Sequence, residues 1–421
     1  MRMNGLPRVK RVAVIAYHTS PLDEPGVGDA GGMTIYVRAL ACALSERGVS
    51  TDIFTRAISD IGRIVELAPG VRVISVEAGP VGRLEKERQP QYIGEFIAGV
   101  RAFATAQRIR YDLVHSHYWQ SGLAAKALAG AWGVTMVHSH HSLGRVKNRW
   151  LAPGDAPEPQ TRLDGELDVI SSADVLVAST EEEWEQLACL YGAPHDRLKT
   201  LHPGVDHRLF SPGSRAAARA QLGLEPDLSL LLYVGRIQRL KGLDLAITSL
   251  DQIVGSLDNA HLVVVGGASG PGGDKEVDRL AGLAEALGVE DRVSFVGPRR
   301  HDALPTFYRA ADVLVVCSHT ESFGLTALEA HACGIPVVGT SVGGLSHIVS
   351  DGASVYLVGN RDPSVFAARL KTLLSDAELR RRFSSEALKR SSVYSWGAVA
   401  DGFMELYECL LREEFPEVCS C

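Results

Sequence analysis

The sequence lacks any apolar run near the roughly 20 residues a helical bilayer crossing needs; its longest, LSLLLYVG and HLVVVGG, read as buried strands. The N-terminal MRMNGLPRVKRVAVIAYHTS has basic residues and a short apolar stretch but no small-residue cleavage pattern. That stretch is expected to be a first strand and the protein cytoplasmic. No long basic run occurs, and 43 Lys plus Arg against 50 Asp plus Glu give a formal charge of −7. Nucleic acid and anionic membrane are therefore not expected as partners. The 7 cysteines form no C-x-x-C pair, which removes the usual mark of a redox or zinc site. Cys42, Cys189, Cys317 and Cys333 stand in apolar segments and are expected to behave as small hydrophobes, whereas Cys419 and Cys421 are expected in a frayed tail. No D-x-D triplet is present to seat a carboxylate-held Mg²⁺, nor a Walker loop or protein-kinase motif set.

What is present is an ordinary globular composition, 46% hydrophobic and 22% charged, over 421 residues, enough for two or three domains at roughly 150 residues each. Short β-branched runs alternate with longer helical patterns, the signature of parallel sheets covered by helices on both faces. The first-half strand candidates are RVAVIAYH, TDIFTR, VRVISV, DLVHSH, VTMVHSH and ADVLVAST. The segment LHPGVDHRLFSPGSR reads as an interdomain linker. After it the rhythm restarts with LSLLLYVGR, HLVVVGG, RVSFVG, DVLVVCS, PVVGT and SVYLVG. The fold class is thus α/β, two αβα sandwiches over residues 1–204 and 205–397, with a last helical pattern at 398–418 expected to pack back on the first. Two such sheets bind ligand in the cleft at the carboxyl ends of their strands.

Residues 26 to 31, GVGDAG, formally spell G-x-G-x-x-G with Asp52 about twenty residues on. A dinucleotide fingerprint begins directly at a strand end, whereas HTSPLDEP intervenes here and Asp52 falls near the start of its strand. What survives is a glycine-opened helix at Met33, where backbone N–H groups of Gly31 and Gly32 are able to face an anion. In VGRIQRLKG, Arg236 and Lys241 follow a strand; an Arg fork and a Lys point charge together suit a diphosphate, the alternative being a solvated surface pair. In ESFGLTALEA, Glu321 is placed in a loop and Glu329 about two turns inside a helix whose apolar flanks imply a buried carboxylate needing a hydroxyl or amide partner. His115, His117, His138, His140 and His141 cluster where first-half strands end. Strand alternation lets only one or two of them reach a cleft, and no H-E-x-x-H or cysteine partner supports a metal. Together these features describe a cleft for a nucleoside diphosphate attached to a second group.

The combination G-R-x-x-x-x-K-G, E-S-F-G-L-x-x-x-E, GGM before the first helix and HTSP resembles the family 4 retaining glycosyltransferases of the two-domain GT-B fold, over essentially the whole chain. Within it, HTSPLDEPGVGDAGGM, HSHYWQSG, VKN, GGASGP and ESFGL are most similar to the mycothiol-pathway branch, which moves N-acetylglucosamine from UDP-N-acetylglucosamine onto 1L-myo-inositol 1-phosphate. The resemblance implies that Arg236 and Lys241 hold the donor diphosphate with the backbone of Gly32, and that Glu329 meets the ribose. It places Glu321 and the backbone of Ser322, Phe323, Gly324 and Leu325 around the transferred sugar, His141 beside its primary hydroxyl, and the backbone at Arg299 near the base. Lys86, Tyr118 and Arg162 match acceptor-phosphate contacts, with Ser142 standing where the branch has Thr. Thr34 stands where the branch has an Asn that contacts the cyclitol, which leaves a different acceptor open: another sugar phosphate, or a thiol or hydroxyl.

The resemblance further implies front-face displacement, the departing diphosphate oxygen taking the acceptor proton while Arg236 and Lys241 stabilise its charge. A resident cofactor or metal is not expected, the nucleotide sugar being a co-substrate, and a homodimer is the default assembly. A nucleotide-sugar epimerase or hydrolase and a non-catalytic sugar-nucleotide binder are the alternatives on the same architecture.

Overall fold

Runs of Val, Ile and Leu become strands of two sheets because helices cover both faces, so both sets of side chains are buried. A computed structural model describes residues 9–26, 28–59, 64–270 and 272–412. The first sheet contains β1 (Arg11–Ile15), β2 (Ser50–Arg56), β3 (Ile64–Ala68), β4 (Val71–Val76), β5 (Leu113–His117), β6 (Thr135–Ser139), β7 (Val175–Ala178) and β8 (Leu198–Thr200). Their spatial order is β3-β4-β2-β1-β5-β6-β7-β8. The second contains β9 (Ser229–Val234), β10 (Ala260–Val265), β11 (Val293–Gly297), β12 (Val313–Val316), β13 (Val337–Thr340) and β14 (Val355–Val358), ordered β11-β10-β9-β12-β13-β14.

Every pairing is parallel except β3 with β4. The expectation of purely parallel sheets is corrected there: β3 is an edge strand with no fully buried side chain, folded back on β4 through a tight turn at Gly70. The order reverses at β1 in the first sheet and at β9 in the second. Loops leaving the two neighbours at each reversal diverge and open a crevice. Those loops carry His18 after β1, Tyr118 after β5, Arg236 to Lys241 after β9, and Ser318 to Gly324 after β12.

One face of the first sheet packs Ile15, Phe54, Phe96 and Val114. The other packs Tyr36, Leu40 and Ile53 together with Phe403 and Tyr407 of the helix Trp396–Leu411. This helix, late in the chain, lies on the helix Gly32–Ser45 and reaches the strands, where Tyr407 Oη is 2.8 Å from His115 Nδ1. Phe403 and Tyr407 are fully buried, each contributing roughly 1.5–3 kcal/mol by burial. The remainder of the expected 398–418 helix past residue 412, with Cys419 and Cys421, lies outside the described residues. The two connections between the sheets touch, Val205 N–H donating to Tyr394 O at 3.2 Å.

Cys317 and Cys333 are buried and Cys42 partly so, but Cys189 is exposed. The helix Glu181–Tyr191 buries Glu183, Leu187 and Tyr191, a four-residue repeat that leaves position 189 on the solvent face. Among the described residues, no helix is long and apolar enough to cross a membrane.

Candidate active site

A cavity of about 970 Å³ lies between the carboxyl edges of the two sheets. Every site residue expected from the sequence lines it except Thr34. Thr34 is buried in the helix Gly32–Ser45, its hydroxyl without a hydrogen-bond partner.

On the second-sheet side, Arg236 stands two residues beyond β9 and donates from Nη1 to Ser269 Oγ at 3.3 Å. Gly31 lies so close that a Cβ there would sit 3.4 Å from Arg236 Nε, which brings the first helix's N-terminus beside this guanidinium. Ser269 Oγ in turn donates to Gly28 O at 2.7 Å across the cleft. Lys241 Nζ is 2.6 Å from Glu321 Oε2, a partly buried ion pair that sequence spacing of eighty residues does not reveal. Glu321 is therefore the counter-ion of Lys241 here. Its loop is fixed by Gly343, at φ 56°, where an added Cβ would fall 1.8 Å from Glu321 O. Only glycine fits that left-handed position against a backbone oxygen.

Ser322 Oγ donates to His141 O at 2.7 Å, a second tie across the cleft. Gly324 then opens the helix Leu325–Ala332, so Glu329 sits about one turn inside rather than two. Its carboxylate is buried and accepts from Tyr308 Oη at 2.8 Å, the hydroxyl partner its apolar flanks call for, with His301 Nε2 at 2.7 Å on the other oxygen. Arg299 lines the cavity with an exposed guanidinium that donates to Pro298 O at 3.0 Å.

On the first-sheet side, Tyr118 (φ 74°) and His141 (φ 60°) are non-glycine residues at positive φ. Strained backbone of this kind collects where side chains must be aimed. His141 Nε2 is 2.8 Å from His117 Nδ1, and its ring meets the edge of Tyr36 at 4.8 Å. Of the five clustered histidines only His141 lines the cavity; His115, His117, His138 and His140 are buried behind it. Burial pushes His141 down to about 3, so it is neutral at physiological pH and acts through hydrogen bonding rather than charge.

Arg162 is 2% exposed and makes four contacts at once. Its Nε lies 2.8 Å from Glu166 Oε1, its Nη1 3.0 Å from Glu158 Oε2, and its Nη2 donates to Ser142 O and Oγ at 3.1 and 3.0 Å. Its guanidinium also lies over the Tyr118 ring, 5.1 Å from the centroid. Lys147 pairs with Glu158 as well. Burial works against ionisation of Glu158, but Arg162 and Lys147 hold its carboxyl at about 2. Lys86 lines the same wall, its carbonyl accepting from Gln120 Nε2 at 2.6 Å.

Sequence reasoning missed Lys147, Glu158 and His18 as cavity residues. Arg162 and Glu166, four residues apart, are the signal that finds this pair on a helix; Glu158, just before that helix, joins them from the loop. Asp52, by contrast, is not part of the site: Arg72 clamps it at 2.7 and 2.9 Å and Tyr111 Oη donates to it at 2.8 Å.

Acid lability follows from the buried histidines. His18, His115, His140 and His141 are each pushed from 6.5 to about 3, burial being the main cause. Between those values the unfolded chain binds protons that the native state does not, so stability falls as pH drops below 6.5. Glu183, raised to about 7 by burial, acts in the opposite direction, against four histidines. Urea unfolding midpoints are expected to decrease steadily from pH 6.5 to 4.5, and a flat profile over that range would contradict the buried, neutral assignment.

Residues 31–204 match the family described as glycosyl transferase 4-like domain, and residues 214–390 match glycosyl transferases group 1. A D-inositol 3-phosphate glycosyltransferase of Nocardiopsis dassonvillei is 44% identical over 98% of this chain and 97% of its own. That of Thermobifida fusca is 46% identical over 96% and 94%. The chain belongs to this glycosyltransferase family. Among solved structures, sucrose-phosphate synthase from Thermosynechococcus elongatus superposes with a TM-score of 0.89 at 32% identity, covering 96% of this chain and all of that one. WaaG, a glycosyltransferase involved in lipopolysaccharide biosynthesis and 19% identical, shares the fold with a TM-score of 0.71 over 94% of this chain. The two-sheet architecture is thus the GT-B fold, and the chain is a sugar-transferring enzyme.

Proposed function

We propose that the enzyme is a retaining transferase moving N-acetylglucosamine from UDP-N-acetylglucosamine to 1L-myo-inositol 1-phosphate, the compound also called D-inositol 3-phosphate. The observation that carries this reading is the pairing of two cationic pockets in one cavity: Arg236 and Lys241 on the second-sheet wall, and Arg162, Lys86 and Lys147 on the first. One suits a diphosphate and the other a phosphomonoester, and few sugar acceptors present the latter beside a reacting hydroxyl. The names of the relatives support the inositol phosphate.

In this reading Arg236 and Lys241 take up charge on the departing diphosphate, and its oxygen nearest the sugar removes the acceptor proton on the same face. Glu329 receives the ribose hydroxyls, exchanging the His301 contact for them. Glu321 gives up Lys241 to the diphosphate and turns to the sugar's hydroxyls. Neutral His141 accepts from or donates to the primary hydroxyl. No resident metal or cofactor is invoked, because fixed cations and the N-terminus at Gly32 supply the neutralisation. The enzyme is proposed to work in the cytoplasm, as a homodimer by default, on small molecules and without nucleic acid.

Thr34 is buried outside the cavity lining and gives the cyclitol ring no contact there, so a second phosphorylated acceptor is the alternative. Mass spectrometry of reactions containing a panel of UDP-, GDP- and dTDP-sugars, each with and without inositol phosphate, decides between them. A glycosylated inositol phosphate is expected from UDP-N-acetylglucosamine. Consumption of nucleotide sugar with no acceptor-dependent product would overturn the transfer reading in favour of a hydrolase or epimerase, and UDP binding without turnover in favour of a binder.

A further inference from the structure

Arg239 stands between Arg236 and Lys241 on the loop after β9, yet its side chain points across the cleft. Its Nη1 donates to Pro153 O at 2.9 Å, on the first-sheet loop 151–159. That loop approaches so closely that a Cβ on Gly154, whose φ is 85°, would fall 1.7 Å from Arg239 Nη1. Both the left-handed backbone and the contact exclude any other residue at position 154 without displacement. Behind Arg239, Glu276 is buried and lies 3.5 Å from its Nε, while Arg279 fixes Glu276 through two bonds of 2.8 and 2.6 Å. The guanidinium thus lies near Glu276 on the second domain and donates from its tip to the first.

The loop it engages carries Glu158 four residues beyond Gly154. Glu158 N–H donates to Asn148 Oδ1 at 2.7 Å, and its carboxylate joins Lys147 to Arg162. The loop therefore runs without interruption from a side chain of the diphosphate loop to the carboxylate that spaces two cations of the opposite wall. The Arg239 side chain is 41% exposed, yet its tip meets the glycine of the opposite loop and Glu276 flanks it behind.

We propose that Arg239 is a positioning residue that clasps loop 151–159 and so sets the spacing of Lys147 and Arg162 for the acceptor. The order it imposes on the loop stands on geometry alone; its effect on acceptor binding rests on the phosphate pocket proposed above. Loss of one hydrogen bond to a charged donor predicts a rise of roughly ten-fold in acceptor KM for Arg239→Ala. The donor KM is expected to stay within about two-fold, since the charges of Arg236 and Lys241 remain. Arg239→Lys should recover part of the loss, keeping a donor of shorter reach. Gly154→Ala breaks the same contact from the other side, so its effect and that of Arg239→Ala should fail to add in the double variant.

The test combines initial-rate kinetics on inositol phosphate with amide hydrogen exchange across residues 151–158 in the full-length enzyme. Faster exchange there in Arg239→Ala than in wild type, with a selective rise in acceptor KM, is the expected result. Unchanged exchange overturns the clasp whatever the acceptor proves to be. Faster exchange with an unchanged acceptor KM, in an enzyme that does transfer to inositol phosphate, overturns the positioning role. Should wild type give no such transfer, the acceptor reading fails separately and the exchange measurement alone judges the clasp.

Discussion

Lys241→Ala is expected to lower kcat by about 10²–10³ at saturating donor, the loss typical when one donor to a developing oxyanion is removed. Two effects point the same way. The ammonium that would meet the leaving diphosphate disappears, and Glu321, 2.6 Å from it in the native enzyme, is left as an uncompensated carboxylate beside the same group. Lys241→Ala combined with Glu321→Gln should therefore be less impaired than the sum of the two single variants. Arg236→Lys keeps its charge and loses only the planar fork, so roughly a ten-fold fall is expected there. Equal and small losses in Lys241→Ala and Arg236→Lys, measured at saturating nucleotide sugar, would remove these residues from the leaving-group role.

Arg162→Ala should cost about 3–5 kcal/mol of folding stability in addition to acceptor binding, as expected when one partner of a buried ionic network is deleted. Glu166 is fully buried and accepts from Gly144 N at 3.0 Å, from Arg162 and from Tyr191 Oη, so removing the guanidinium takes away its ion-pair partner. Arg162→Lys retains the charge but not the paired bonds to Ser142. It should fold with a smaller penalty and raise acceptor KM by about ten- to a hundred-fold. Urea unfolding of both variants, read beside acceptor KM, separates the structural share from the binding share. A stability of Arg162→Ala within about 1 kcal/mol of wild type would contradict the structural role of this network.

Much of the architecture was legible because it is written in local pattern. All twelve expected strands occur, and the linker falls between the sheets, because apolar runs bounded by turn residues need little tertiary information. The two strands not foreseen are the least patterned: β3 is a partly exposed edge and β8 only three residues long. Within the site, Arg236, Lys241, Glu321 and Glu329 were legible as residue types at motif spacing, but their partners were not. Lys241 finds Glu321 eighty positions away, Glu329 finds Tyr308 and His301 on a neighbouring segment, and Arg239 finds a carbonyl of the other domain. Such contacts depend on which strand ends the topology brings together, which periodicity does not encode. Glu329 also lies nearer its helix start than its spacing from Glu321 implied, since the helix begins only after Gly324.

The helix Trp396–Leu411 gives the polypeptide an interleaved construction, in which the first sandwich is finished by residues synthesised after the second. A nascent chain emerging from the ribosome therefore carries an incomplete first sandwich, with Tyr36, Leu40 and the far side of β1 uncovered, until the second sandwich has been made. Cutting the gene at the boundary between sandwiches would not yield two autonomous pieces, and a fragment ending near residue 204 should behave as a sticky, chaperone-dependent species.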